Sequence, residues 1–358
     1  MSVVARATIN PQRRLDQVPP PSGDAVLRFH ENLPDYRPTP LRRFDADGSG
    51  VVYVKDESDR LGLPAFKILG ASWAVERALA IDPEITVVVA ASAGNHGRAV
   101  ARAAARRGIA CRIHLPRTVS RERAEPIAGE GAHVIAVDGD YDTAVAAAQR
   151  AANEPGVALI ADTGTDAAAA WVVDGYATLF REAAAQAPGP FDLVIVPIGV
   201  GSLAAAAVRF AVHQQPAAMV VGVEPDTAAC VTASLHAGRR TTVVTPGTTM
   251  TGMDCATPSA TAWPTLHAGL TGTITVRDAE AHTAMRALAG QGIRAGDCGA
   301  ATIAALHALR DDPFCQALRD TLRLERSSRV LCINTEGATD PGAYMRIVTM
   351  SGSLRAGS

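Results

Sequence analysis

At 358 residues and 37.1 kDa, with 47% hydrophobic and 20% charged residues, the chain has the composition of a soluble globular protein. That length has room for two domains of about 100–200 residues each. Its net charge of −2 leaves no basic surplus for a phosphate backbone, which argues against nucleic acid as a partner. No run approaches the roughly 18 uninterrupted apolar residues of a membrane span. The six cysteines include no Cys-x-x-Cys pair, so neither a metal site nor a disulfide framework is expected.

Residues 1–25 mix charges with a Pro19-Pro20-Pro21 run and lack the apolar stretch of a secretory leader, which predicts a flexible N-terminal arm on a cytoplasmic protein. From residue 51 onward, β-branched runs alternate with alanine-rich helical stretches. Strands are predicted at 51–55, 86–90, 111–115, 133–138, 157–160, 192–197, 219–223 and 329–333, and helices at 98–107, 141–153, 171–185, 203–212, 278–291 and 300–310. This alternation predicts an α/β protein with parallel sheets covered by helices, whose ligands lie at the carboxyl ends of strands. The linker-like Gln186-Ala-Pro-Gly-Pro190 suggests a small α/β domain, 73–187, inserted between 26–72 and 188–358 of a larger one.

Lys67 stands in the apolar run Leu63-Pro-Ala-Phe-Lys-Ile-Leu-Gly-Ala71. A lysine there either snorkels to solvent or sits in a pocket, where its amine loses its proton readily and attacks carbonyl carbon. Three further motifs favour the pocket. Ala90-Ala-Ser-Ala-Gly-Asn-His-Gly97 joins a predicted strand to a predicted helix, and its small residues let backbone amides approach an anion. Pro197-Ile-Gly-Val-Gly-Ser-Leu203 has the same setting and suits one phosphate, since it lacks both the Gly-Lys-Ser/Thr of a Walker loop and the spacing of a dinucleotide site. Cys332-Ile-Asn-Thr-Glu-Gly-Ala338 places the Thr335 hydroxyl at the end of the last strand, within reach of a ring nitrogen.

Together these motifs resemble those of the fold-type II pyridoxal-phosphate enzymes, the tryptophan-synthase-β superfamily. Within it, Pro34-Asp-Tyr-Arg-Pro-Thr-Pro-Leu41, Val54-Lys-Asp-Glu-Ser58, Gly94-Asn-His-Gly-Arg98, Asp174-Gly-Tyr-Ala-Thr178, Val223-Glu-Pro-Asp226 and Asn334-Thr-Glu-Gly-Ala-Thr-Asp340 most resemble the diaminopropionate ammonia-lyases. The resemblance implies two doubly wound, parallel or mixed sheet domains with pyridoxal 5′-phosphate in the cleft between them, a small amino-acid substrate and a homodimer. Lys67 is then the Schiff-base lysine, and Phe66 packs near the ring. Asn95 partners the 3′-oxygen, Gly199, Val200, Gly201, Ser202 and Leu203 hold the phosphate, and Thr335 faces the pyridine nitrogen. Ser92, Ala93, Gly94, His96 and Asp162 are left for the substrate, with Asp162 a second catalytic candidate.

A hydroxyl cannot compensate a pyridinium charge as a carboxylate does, so the ring is a weaker electron sink and loss of a β-substituent outruns transamination. The expected reaction is α,β-elimination from an L-amino acid, with Lys67 as base, giving a 2-oxo acid and ammonia. Threonine- or serine-type dehydration, β-replacement and a catalytically decayed cofactor binder are the alternatives. The chain departs from the family at Ala93, where an aspartate is usual, and at Cys298, which replaces a hydroxyl and reads as a packing thiol. Alanine transfers no proton, so a reaction of D-isomers that depends on that aspartate should be lost.

Overall fold

The computed structural model describes residues 5–46, 50–164 and 167–349. In chain order the elements begin with β1 (Ala7–Ile9), α1 (Ala25–Glu31), β2 (Leu41–Phe44), β3 (Val51–Asp56), α2 (Lys67–Ile81), β4 (Val87–Ala90) and α3 (Asn95–Arg107). There follow β5 (Ala110–Pro116), α4 (Arg121–Gly129), β6 (His133–Val137), α5 (Tyr141–Ala151), β7 (Val157–Leu159), α6 (Ala167–Gly175) and α7 (Ala177–Gln186). Then come β8 (Leu193–Pro197), α8 (Ser202–Gln214), β9 (Met219–Pro225), α9 (Cys230–Ala237), α10 (Trp263–Gly269) and β10 (Gly272–Val276). The chain closes with α11 (Asp278–Gly290), α12 (Asp297–Asp311), α13 (Gln316–Leu322), β11 (Arg329–Asn334) and α14 (Pro341–Thr349). Among the described residues, no helix is long and apolar enough to cross a membrane.

Two compact units result. The larger comprises Met1–Pro21, Arg37–Phe66 and Leu179–Ser358; the smaller comprises Ser22–Tyr36 and Lys67–Thr178. The seven-stranded sheet of the larger unit runs β1-β10-β9-β8-β11-β3-β2, parallel throughout except for its antiparallel edge strands β1 and β2. Its central strands are buried along their length, β8 and β10 at every residue, as strands covered on both faces must be. In β11, Asn334 lies beside Asp56 of β3 and donates to its carboxylate at 2.9 Å. The loops leaving these two strand ends carry Glu57–Phe66 and Thr335. The smaller unit holds the parallel sheet β6-β5-β4-β7.

Three expectations need correction. The N-terminal arm is tied down from residue 5: β1 pairs with β10, and Arg6 bonds Glu280 at 2.8 Å and Asp312 at 2.9 Å. The unit boundaries fall at 66/67 and 178/179 rather than 72/73 and 187/188, since the main packing partners of α2 are α3 and α6. Residues 22–36 go with the smaller unit because buried His30 of α1 bonds Thr178 Oγ1 at 2.7 Å and the Leu69 carbonyl of α2 at 3.0 Å. Finally, the stretch 171–185 is two helices, broken at Tyr176. At this break Gly175 lies against α2, where a Cβ would stand 2.5 Å from the Leu69 carbonyl oxygen and 2.7 Å from Gly70 Cα.

Candidate active site

Within the smaller unit, Lys67 opens α2 and donates from Nζ to Asp162 Oδ2 at 2.9 Å. Both side chains are about one-fifth exposed (20% and 18%), so the pair is shielded yet reachable. His96, in the first turn of α3, donates from Nε2 to the Ile160 carbonyl at 2.9 Å and turns Nδ1 toward Asp162 Oδ2 at 3.9 Å. Burial pushes the Asp162 carboxyl up, but His96 and the Lys67 ammonium pull it further the other way, well below the usual carboxylate range. Asp162 is therefore a fixed anion at neutral pH.

The glycine turn sits beside these residues in sequence. Gly94 donates to Ser92 Oγ at 3.3 Å, and Ser92, Ala93 and Asn95 are half-buried. A Cβ on Gly94 would meet nothing within 4 Å, which leaves that stretch of backbone open to a ligand, whereas one on Gly97 would strike the Ser92 carbonyl. Tyr176 was not singled out from the sequence as part of this group. Its ring centroid lies 5.9 Å from Lys67 Nζ, and its nearest signal in the sequence is Gly70, where a Cβ would strike the ring.

Within the larger unit, the β8–α8 turn carries Gly199, Val200 and Gly201, followed by Ser202 and Leu203 in the first turn of α8. Gly201 has φ +98°, and a Cβ there would collide with Leu266; one on Gly199 would stand 2.6 Å from the Gly252 carbonyl oxygen. Glycine is thus required at both positions, and the amides at the start of α8 form an anion-binding end. Thr335 is 5% exposed and its Oγ1 has no hydrogen-bond partner among the described residues, a position that needs an external donor or acceptor. Its carbonyl accepts from the Phe66 amide at 3.2 Å, which ties the segment leading into Lys67 to the strand end bearing Thr335. Phe66 itself is buried.

Cys298 is buried at the start of α12, beside Gly252 and Glu336. Burial pushes its thiol well above the ordinary range, and the Glu336 carboxylate adds to this, so it packs and does not attack. By chemistry, the shielded lysine amine of the smaller unit suits an aldehyde, and in the larger unit the helix end suits one phosphate and the unpartnered buried hydroxyl a ring nitrogen.

The comparisons agree. The chain is 34% identical to a diaminopropionate ammonia-lyase of Salmonella typhimurium, with 91% of each chain covered. It is 33% identical to the Escherichia coli enzyme of that name, over 90% of this chain and 89% of that one. A crystal structure of the E. coli enzyme in complex with an aminoacrylate-PLP azomethine reaction intermediate matches with a TM-score of 0.84 at 30% identity, covering 97% of both chains. The family model described as pyridoxal-phosphate dependent enzyme matches residues 33–336, and the chain belongs to that family.

Proposed function

We propose that the protein is a lyase that removes ammonia from L-2,3-diaminopropionate, releasing a 2-oxo acid. Pyridoxal phosphate, when bound, supplies the electron sink that makes an amino acid's α-proton labile. In this reading Lys67 would hold it covalently, Asn95 would meet its 3′-oxygen, the Gly199–Leu203 turn would hold its phosphate and Thr335 would meet its ring nitrogen. The amine of Lys67, once freed by the incoming amino acid, takes the α-proton. The β-ammonium leaves as ammonia, and hydrolysis of the released enamine gives the 2-oxo acid and a second ammonia.

The observation that carries the diamino substrate is the 2.9 Å Lys67–Asp162 pair. The largely shielded Asp162 carboxylate sits where an ammonium is favoured, and with Lys67 engaged by the cofactor a substrate's second ammonium group would take that place. Serine and threonine bring only a hydroxyl. Asp162→Asn should therefore lower kcat/KM for diaminopropionate about 10–100-fold, the worth of one charge-assisted hydrogen bond of about 1.5–3 kcal/mol. Serine turnover should change little. An equal loss on both substrates would remove the basis for the diamino assignment.

Ala93 and Ser92 favour a second reading, a hydroxyamino-acid dehydratase, which release of 2-oxo acid from threonine or serine in preference to diaminopropionate would establish. The Ala93 methyl also bears on stereochemistry. D-diaminopropionate should give no 2-oxo acid above background, and Ala93→Asp should introduce that activity; turnover of both isomers by the unaltered chain at similar rates would refute this role of position 93.

A further inference from the structure

We propose that Tyr176 is a positioning residue for Lys67, holding the lysine amine in addition to its carboxylate partner so that the amine points one way when it is free. The proposal rests on Lys67 being the working amine of the site. The phenol is wholly buried directly after α6. The hydroxyl-bearing end of its ring lies on Gly70, where a Cβ would stand 2.6 Å from Tyr176 Cε1 and 2.9 Å from Cζ. Gly70 is one helical turn beyond Lys67, so the ring runs along α2 toward the lysine. Lys67 Nζ comes within 5.9 Å of the ring centroid, inside the range at which an aromatic face attracts an ammonium. Gly175, the residue before Tyr176, lies against the Leu69 and Gly70 backbone of the same helix. The fold thus removes one side chain, at Gly70, to seat the tyrosine ring, and another, at Gly175, to bring α6 onto α2.

A base on a four-carbon stem has many rotamers, and a salt bridge to Asp162 leaves several of them within reach. Burial raises the phenol to about 12 against the pull of the Lys67 ammonium, while Asp162 raises it further. Tyr176 therefore stays a neutral phenol at working pH. It offers a dipole and a ring without competing as a base or adding charge to a cluster that already holds Lys67, Asp162 and His96.

The test exploits a feature of the composition: among 34 Lys and Arg residues only Lys55 and Lys67 are lysines, and Lys55 is fully buried. In the cofactor-free full-length chain, acetic anhydride should modify the α-amine and Lys67, and peptide mass spectrometry reads the Lys67 rate against pH. A hydroxyl that accepts from the ammonium favours the charged form. Tyr176→Phe should thus move the acylation midpoint down by about half a unit or more. In the loaded enzyme the same variant should lower kcat about tenfold, with KM held within about twofold. An unmoved midpoint overturns the proposal whether or not turnover changes, and a moved midpoint supports it even if Lys67 proves not to be the base. If the Phe chain does not fold, the unaltered sequence carrying 3-fluorotyrosine decides. Acetylating Lys67 must then shift a tyrosine fluorine resonance, and stationary resonances overturn the contact.

Discussion

Lys67→Ala should abolish turnover, by about 10⁴-fold or more, because it removes both a proton-transfer step worth about 10²–10⁴-fold and the covalent anchor. The fold should survive. A fully buried ion pair broken on one side costs about 3–5 kcal/mol, but Lys67 and Asp162 are each about one-fifth exposed, so about 1–2 kcal/mol is expected by urea unfolding at pH 7. The sign of the pH dependence follows from Asp162. Its folded value lies below the unfolded one, so the pair stabilises fully above the unfolded value of about 3.9 and loses that contribution as pH falls toward the folded value. The stability gap between the two proteins should therefore narrow below about pH 4. Lys67→Arg separates charge from chemistry, since a guanidinium keeps the pair with Asp162 but forms no imine. It should retain most of the stability and none of the turnover; a Lys67→Ala chain with full turnover would sink the functional reading.

The sequence made the central strands legible because they are buried on both faces and read as unbroken apolar runs, as β8 does in Leu-Val-Ile-Val-Pro. The glycine turns were legible for a local reason: their chemistry lies in adjacent residues, so the Ser92–Gly97 and Gly199–Ser202 stretches announce themselves. Three elements were not. β1 is three residues long and exists only because β10 offers it an edge, and the antiparallel β2 likewise needs β3. The break between α6 and α7 was invisible because an alanine-rich pattern continues across Gly175–Tyr176, and its cause is the backbone of α2, more than one hundred residues earlier in the chain. The same distance hid Tyr176 as a neighbour of Lys67. Asp162 was read as a substrate group from a resemblance; its pairing with Lys67, 95 residues away, came only from the structure.

Glu182→Gln should cost about 3–5 kcal/mol of stability, more than any other charge removal considered, because Glu182 is one corner of a network sealed inside the larger unit. Arg60 donates to Glu182 through Nη1 and Nη2, each at 2.7 Å, and to Glu57 through Nε at 2.8 Å and Nη2 at 2.6 Å. Lys55 Nζ donates to Glu182 at 2.7 Å, to the Thr39 carbonyl at 2.7 Å and to Gln186 at 3.0 Å. Lys55, Glu57 and Arg60 are fully buried and Glu182 nearly so, and two cations balance two anions. The substitution leaves one cation uncompensated. The network also braces the turn Arg60-Leu61-Gly62-Leu63, in which Leu61 holds φ +54°, a left-handed conformation that L-residues resist, five residues before Phe66. Two pH signatures separate this account from a simple loss of packing. Burial alone would raise the Glu182 carboxyl, but Arg60 and Lys55 bring it down to about 2. The intact protein should thus shed stability as pH falls from about 4.5 toward 2, a slope the Gln variant lacks. In the variant, the stranded positive charge falls on Lys55, which burial already holds below its ordinary value. Its loss of a proton relieves the strain, so the variant should regain stability as pH rises toward the unfolded lysine value of about 10.4. Urea unfolding at about pH 3, 5, 7 and 9 measures both limbs, and a deficit independent of pH would show that shape, and not charge, is what Glu182 supplies.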